Sequence, residues 1–174
     1  MFKRLIITAL PDEARPFIDR FKLASDENQS DLRVFSNETC SLLITGIGDD
    51  RVKSVLPVFL ERIPNFDNIV LFNVGIAGGH PDKTEIGEVY LVNSVTNDET
   101  IDKYSLTIPV KNEFNTMALM TVAKGITTGH VGYDGLVDME AASITTIAIR
   151  YLNIDKNAVI KDVSDYMDIA DWSS

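Results

Sequence analysis

Apolar positions recur along the chain with two periods, and the switches between them mark its elements. Residues 2–9 predict a first strand, followed by Ala14, Phe17, Ile18 and Phe21 at helical spacing. Asp12 and Glu13 suit that helix's first turn, and Pro16 limits how early it can begin. Short apolar runs at 32–35 and 41–45 flank a polar turn at 36–39, giving a hairpin that Gly46-Ile47-Gly48 closes. The next helix carries Val52, Val55, Leu56, Phe59 and Ile63 on one face; Pro57 predicts a kink or a late start, and Pro64 ends it.

The run 69–72 is continuously apolar, as in a strand buried on both faces at the centre of a sheet. It leads into Gly75, Gly78 and Gly79, either an ordinary tight turn or a backbone that comes close to a ligand. Residues 88–95 predict another strand, and 97–115 a loop with one short strand at 106–110. A strand at 117–128 ends at Gly129; a helix at 139–152 buries Ala142, Ile144, Ile147, Ala148 and Tyr151. Residues 157–163 form the last strand, with Ser164 and Asp165 at its carboxyl end. Strands alternating with helices predict an α/β layered fold, a single domain with a central mixed sheet flanked by helices.

Composition narrows the function. The 174 residues, 45% of them hydrophobic, fit one domain able to bury a core without staples. The net charge is −10, and the basic residues form no cluster longer than Lys3-Arg4, which argues against nucleic-acid binding and leaves a small ligand open. Cys40 is alone, so no intrachain disulfide can form and a reducing, cytoplasmic compartment is expected. The opening MFKRLIITAL is too short in its apolar part for a signal peptide, and no stretch has the length of a membrane span.

Acidic residues stand where elements end: Glu13 after the first strand, Glu140 at the start of the 139–152 helix and Asp165 after the last strand. Such ends can converge on one rim. Each also has a structural explanation, since acidic residues favour a helix's first turn and Asp165 can cap a following helix.

The segments ALPDE at 9–13, TGIG at 45–48, NVGIAGG at 73–79, VDMEAAS at 137–143 and VSD at 163–165 together carry a family resemblance. In this order the chain resembles the purine nucleoside phosphorylase and nucleosidase superfamily, and within it methylthioadenosine/S-adenosylhomocysteine nucleosidases and futalosine hydrolases. The resemblance implies a phosphorylase/hydrolase-like domain, here in a shortened form over 1–174 without the family's usual closing helix. It implies hydrolysis of a purine N-ribosidic bond without metal or cofactor. Asp165 would protonate N7 of the leaving purine, with Ser164 beside it, and Glu13 would position and deprotonate the attacking water. Glu140 would grip the ribose hydroxyls with Met139 packed against it, and Ile47, Ile76, Ala77 and Gly78 would line the substrate site. A homo-oligomer is implied as well.

The superfamily's phosphorylases carry a phosphate-binding segment where this chain has PDEAR; the Glu13 carboxylate suits water, while Arg15 leaves phosphate as an alternative. The chain also departs from the nucleosidase pattern. Ile76 stands where a hydroxyl residue is common, and Lys161 where an arginine is usual, exchanging a planar donor for a point charge. The segment 128–138 is short, leaving Tyr133 or His130 as substitutes for the family's aromatic residue against the purine. These departures keep a non-catalytic nucleoside-binding relative as a further alternative. His80 reads as a solvent-facing turn residue, and Trp172 as a packing or interface residue.

Overall fold

The computed structural model describes residues 3–107 and 113–169. Among them the chain runs β1 (Lys3–Thr8), α1 (Pro11–Phe21), β2 (Ala24–Ser25), β3 (Val34–Ser36), β4 (Cys40–Ile44), α2 (Asp49–Glu61) and β5 (Ile69–Gly78). It continues with β6 (Val89–Asn97), β7 (Lys103–Ser105), β8 (Asn115–Thr121), β9 (Leu136–Asp138), α3 (Ala141–Ala148) and β10 (Asn157–Asp165). The order β10-β6-β8-β9-β5-β1-β4-β3-β2 forms one mixed sheet, and β10 also pairs with β5, so β10, β6, β8, β9 and β5 close into a ring. The remaining strands extend from β5 as an open wing. Within the sheet β4, β1, β5 and β10 are mutually parallel neighbours, so their carboxyl ends share one edge.

Alternation along β1 sorts the core. Leu5 and Ile7 face α2 and α3, packing with Leu56, Phe59, Leu71 and Ile144, while Ile6 faces α1 beside Ala14, Leu42 and Ile44. Burial of each such side chain contributes about 1.5–3 kcal/mol. The ring encloses a further cluster that includes Ala77, Val92, Leu119, Val159 and Val163.

Several elements differ from the sequence expectation. Helix α1 starts at Pro11, before Pro16, because a first-position proline has no N–H to satisfy and the Glu13 side chain accepts from the Leu10 N–H. Helix α2 likewise starts at Asp49, so Pro57 lies inside it and does not delay it. The glycine segment is not a loop: β5 continues unbroken to Gly78, its residues alternating between buried and half-buried. The expected strand at 117–128 stops at Thr121, where an irregular segment leads to the unforeseen β9. Helix α3 is only 141–148, although Tyr151 still packs on the core. Leu106 lies outside any strand; residues 108–110 of that expected strand, like Trp172, fall outside the described residues.

Candidate active site

Beyond the shared carboxyl edge of β1, β4, β5 and β10 lies a cavity of about 340 Å³. Its size suits a small ligand, and the carboxyl edge of parallel strands is where α/β sheets collect ligands. Glu13, Glu140 and Asp165 all line it, together with Met139, Ile47, Ile76, Ala77, Gly78 and Ser164. Ala9, Leu10, Val122, Gly125, Ile126, Thr127, Val137, Asp138 and Met167 complete the wall, none of which the motifs had singled out as site residues. Among the described lining residues none is cationic.

Glu13 is held by backbone. Its Oε2 accepts from the N–H groups of Ala9 and Leu10, each at 2.8 Å, and its Oε1 from the Ile76 N–H at 3.1 Å. A carboxylate offers about four lone-pair sites, of which these three bonds use three. The close approach requires Gly75: a Cβ there would stand 2.8 Å from Oε1. Thus the glycine that resembled loop punctuation makes room inside a strand for a carboxylate from α1.

Asp165 owes its direction to a bulge. Val163 pairs with Ala77 and Asp165 with Gly78, leaving Ser164 as the extra residue, so Ser164 and Asp165 both reach the cavity. The Ser164 hydroxyl lies 2.6 Å from Asp165 Oδ2 and 3.3 Å from the Ala77 carbonyl, and it can donate to either. Asp165 Oδ1 accepts from the Met167 N–H at 2.6 Å. Met167 adopts the left-handed conformation, φ 62°, a strained choice for a residue other than glycine, and one that clusters at functional sites.

Glu140 occupies the N-cap position of α3 but does not cap it. The donors of that first turn go elsewhere: the Ala141 N–H to Asp138 Oδ2 at 3.0 Å, and the Ala142 N–H to Thr121 Oγ1 at 2.9 Å. This frees Glu140 Oε1 to accept from the Gly48 N–H at 2.7 Å, across the turn in which Gly46 and Gly48 both take positive φ. Burial, with Asp138 nearby, pushes Glu140 up to about 7, against the opposing pull of Lys161. Lys161 is fully buried and pairs with Asp138 Oδ2 at 2.8 Å; burial works against its charge, but Asp138 and Glu140 outweigh burial and raise its pKa. Asp138 ends the short strand LVD and Lys161 follows the apolar run 158–160, charges visible in the sequence whose pairing was not.

Other expectations resolve differently. Neither Tyr133 nor His130 lines the cavity: Tyr133 backs its apolar wall beside Val122 and Met167, and His130 meets His80 edge-on at 4.4 Å between ring centres. His80 is half-buried, so it is not a freely solvated turn residue. Arg15 is exposed and away from the cavity. No helix among the described residues is long and apolar enough to cross a membrane.

No protein-family model matches the chain, and no curated protein matches it. Solved structures do. The 5′-methylthioadenosine nucleosidase of Arabidopsis thaliana, in apo form, superposes with a TM-score of 0.82 at 16% identity, over 98% of this chain and 84% of that one. An MTAN of Chlamydia trachomatis bound to MTA gives 0.77 at 24% identity, over 96% and 84%. The S. pneumoniae 5′-methylthioadenosine/S-adenosylhomocysteine nucleosidase, with a transition-state inhibitor, gives 0.75 at 16% identity, over 95% and 86%. The chain therefore has the α/β fold of the methylthioadenosine/S-adenosylhomocysteine nucleosidases. At these identities the likeness establishes the fold, and the chemistry rests on the cavity itself.

Proposed function

We propose that the protein is a nucleosidase that hydrolyses the N-ribosidic bond of a purine nucleoside or thionucleoside. The observation that carries this reading is the convergence of Glu13, Glu140 and Asp165 on one cavity, in a nucleosidase fold. In the reaction the bond between C1′ and N9 breaks, water adds to C1′, and the products are free base and sugar. Asp165 delivers a proton to N7 of the base so that it leaves neutral; the Ser164 hydroxyl, swung to the Ala77 carbonyl, can accept a hydrogen bond from the protonated acid. Glu13 uses its open lone pair to orient the water and takes its proton. Glu140 binds the ribose hydroxyls, and a carboxylate there stabilises positive charge growing on the sugar.

The base rests against Val122, Val137 and Met167, which pack together next to Asp165. A largely aliphatic wall that includes Ile47 and Ile76 suits an uncharged 5′ substituent such as a methylthio group. Water is favoured over phosphate because an anion would face carboxylates with no lining cation; Arg15, the residue that kept phosphorolysis open, is exposed.

The test is release of free base from methylthioadenosine, S-adenosylhomocysteine, adenosine, inosine and futalosine, with and without phosphate. Release from at least one of them at a rate indifferent to phosphate is expected. Strict phosphate dependence would make the protein a phosphorylase, and binding without release would make it a non-catalytic relative.

A further inference from the structure

Lys161 lies behind the cavity wall, with its side chain 3% exposed, and its partner Asp138 is at 1%. A buried ion pair is weak evidence for stability, because desolvating two charges commonly offsets their attraction. Nor does capping α3 require the lysine: Asp138 and Thr121 satisfy the Ala141 and Ala142 N–H groups by themselves. What the lysine does have is a place among acids. Asp138 from β9, Glu140 at the head of α3 and Glu13 from α1 all act on its charge.

We infer that Lys161 is a positioning residue that acts through Asp138 and Glu140, its buried ammonium supplying the counter-charge that lets Glu140 ionise inside the cavity at neutral pH. The inference rests on the nucleosidase reading for Glu140's task, the grip on the sugar hydroxyls, but the electrostatics stand apart from turnover. The groups facing Glu140 are of both signs. Asp138 and Glu13 oppose its ionisation, while Lys161 and the Gly48 N–H favour it. Asp49, on α2, is engaged by Ser143 and Lys53, and Asp165 lines the same cavity. With this many acids in one buried site, removal of the Lys161 ammonium leaves Glu140 protonated through the neutral range. A protonated Glu140 donates one hydrogen bond and brings no negative charge to the sugar.

The experiment follows the Glu140 carboxyl by ¹³C NMR across pH in the unliganded protein, with the signal assigned by its loss in Glu140→Gln. This readout needs no substrate, so a protein that hydrolyses nothing would overturn the nucleosidase reading and leave this test intact. Lys161→Met should move the Glu140 midpoint up by about one pH unit or more, Lys161→Arg should hold it near the wild-type position, and Asp138→Asn should move it down. In turnover the acid limb of kcat/KM should move with the midpoint. An unchanged midpoint in folded Lys161→Met would overturn the inference. Should that variant not fold, an unchanged midpoint in Asp138→Asn would overturn it equally.

Discussion

At the scale of single residues, the cavity works by deciding where carboxylates lose their water and what replaces it. Glu13 exchanges water for backbone N–H groups, Asp165 for a hydroxyl and one N–H, and Glu140 for a single N–H in a more acidic setting. For Glu140 the exchange carries a cost. Its carboxyl titrates at an ordinary 4.5 when unfolded and at about 7 when folded. The folded protein therefore binds that proton more tightly, and the associated stability is full below about pH 4.5 and lost as pH rises through 7. Glu140→Gln keeps the acceptor for Gly48 and removes the charge. It should be more stable than wild type by about 1–3 kcal/mol at pH 8, with the gap closing toward pH 5, as read from urea midpoints at each pH. A wild type equally stable or more stable at pH 8 would contradict this. Glu13, Glu140 and Asp165 were legible in the sequence as acids at element ends. That Glu140 leaves the capping of α3 to Asp138 and Thr121 was not, because Thr121 stands 21 residues before Ala142 and meets it only through the pairing of β8 with β9.

At the scale of elements, the candidate site is built from irregularities of otherwise regular strands. The apolar run at 69–72 was readable as a central strand, but the glycines after it looked like a loop, because local sequence does not disclose a side chain arriving from α1. The observed β5 runs through Gly75 and ends only at Gly78, and Gly75 is the notch that admits Glu13. Gly75→Ala should therefore act as a Glu13 variant. The added Cβ would press on the end of a side chain and spare the backbone, so the protein should fold with a Tm within a few degrees of wild type and lose about 10²-fold or more in kcat. Full activity in that variant would remove Glu13 from the proposed chemistry. The bulge at Ser164 is a second such irregularity, invisible as a pattern because one inserted residue leaves β-propensity unchanged. Missing β9 has the same origin: three residues carry too little periodicity to be seen.

At the scale of the whole molecule, the sheet's closure through β10 and β5 matters most. It makes β10 a neighbour of both β6 and β5, and so puts the last strand's carboxyl end on the same edge as the first strand's, with only β5 between them. Alternating strands and helices revealed the α/β class, but not this pairing, which joins segments far apart in the chain. The consequence is a cavity lined by Asp165 from β10, Glu13 from α1 and Glu140 at the head of α3, the carboxylates that the proposed mechanism assigns to base, water and sugar. In the proposed hydrolase these act together, with Asp165 as the acid. The most direct measurement is purine release from methylthioadenosine in phosphate-free buffer, by wild type and Asp165→Asn, alongside nucleoside binding by calorimetry. Wild-type release, with a loss of about 10²–10⁴-fold in the variant and binding retained, is the predicted result. An Asp165→Asn protein that releases base at the wild-type rate would contradict it.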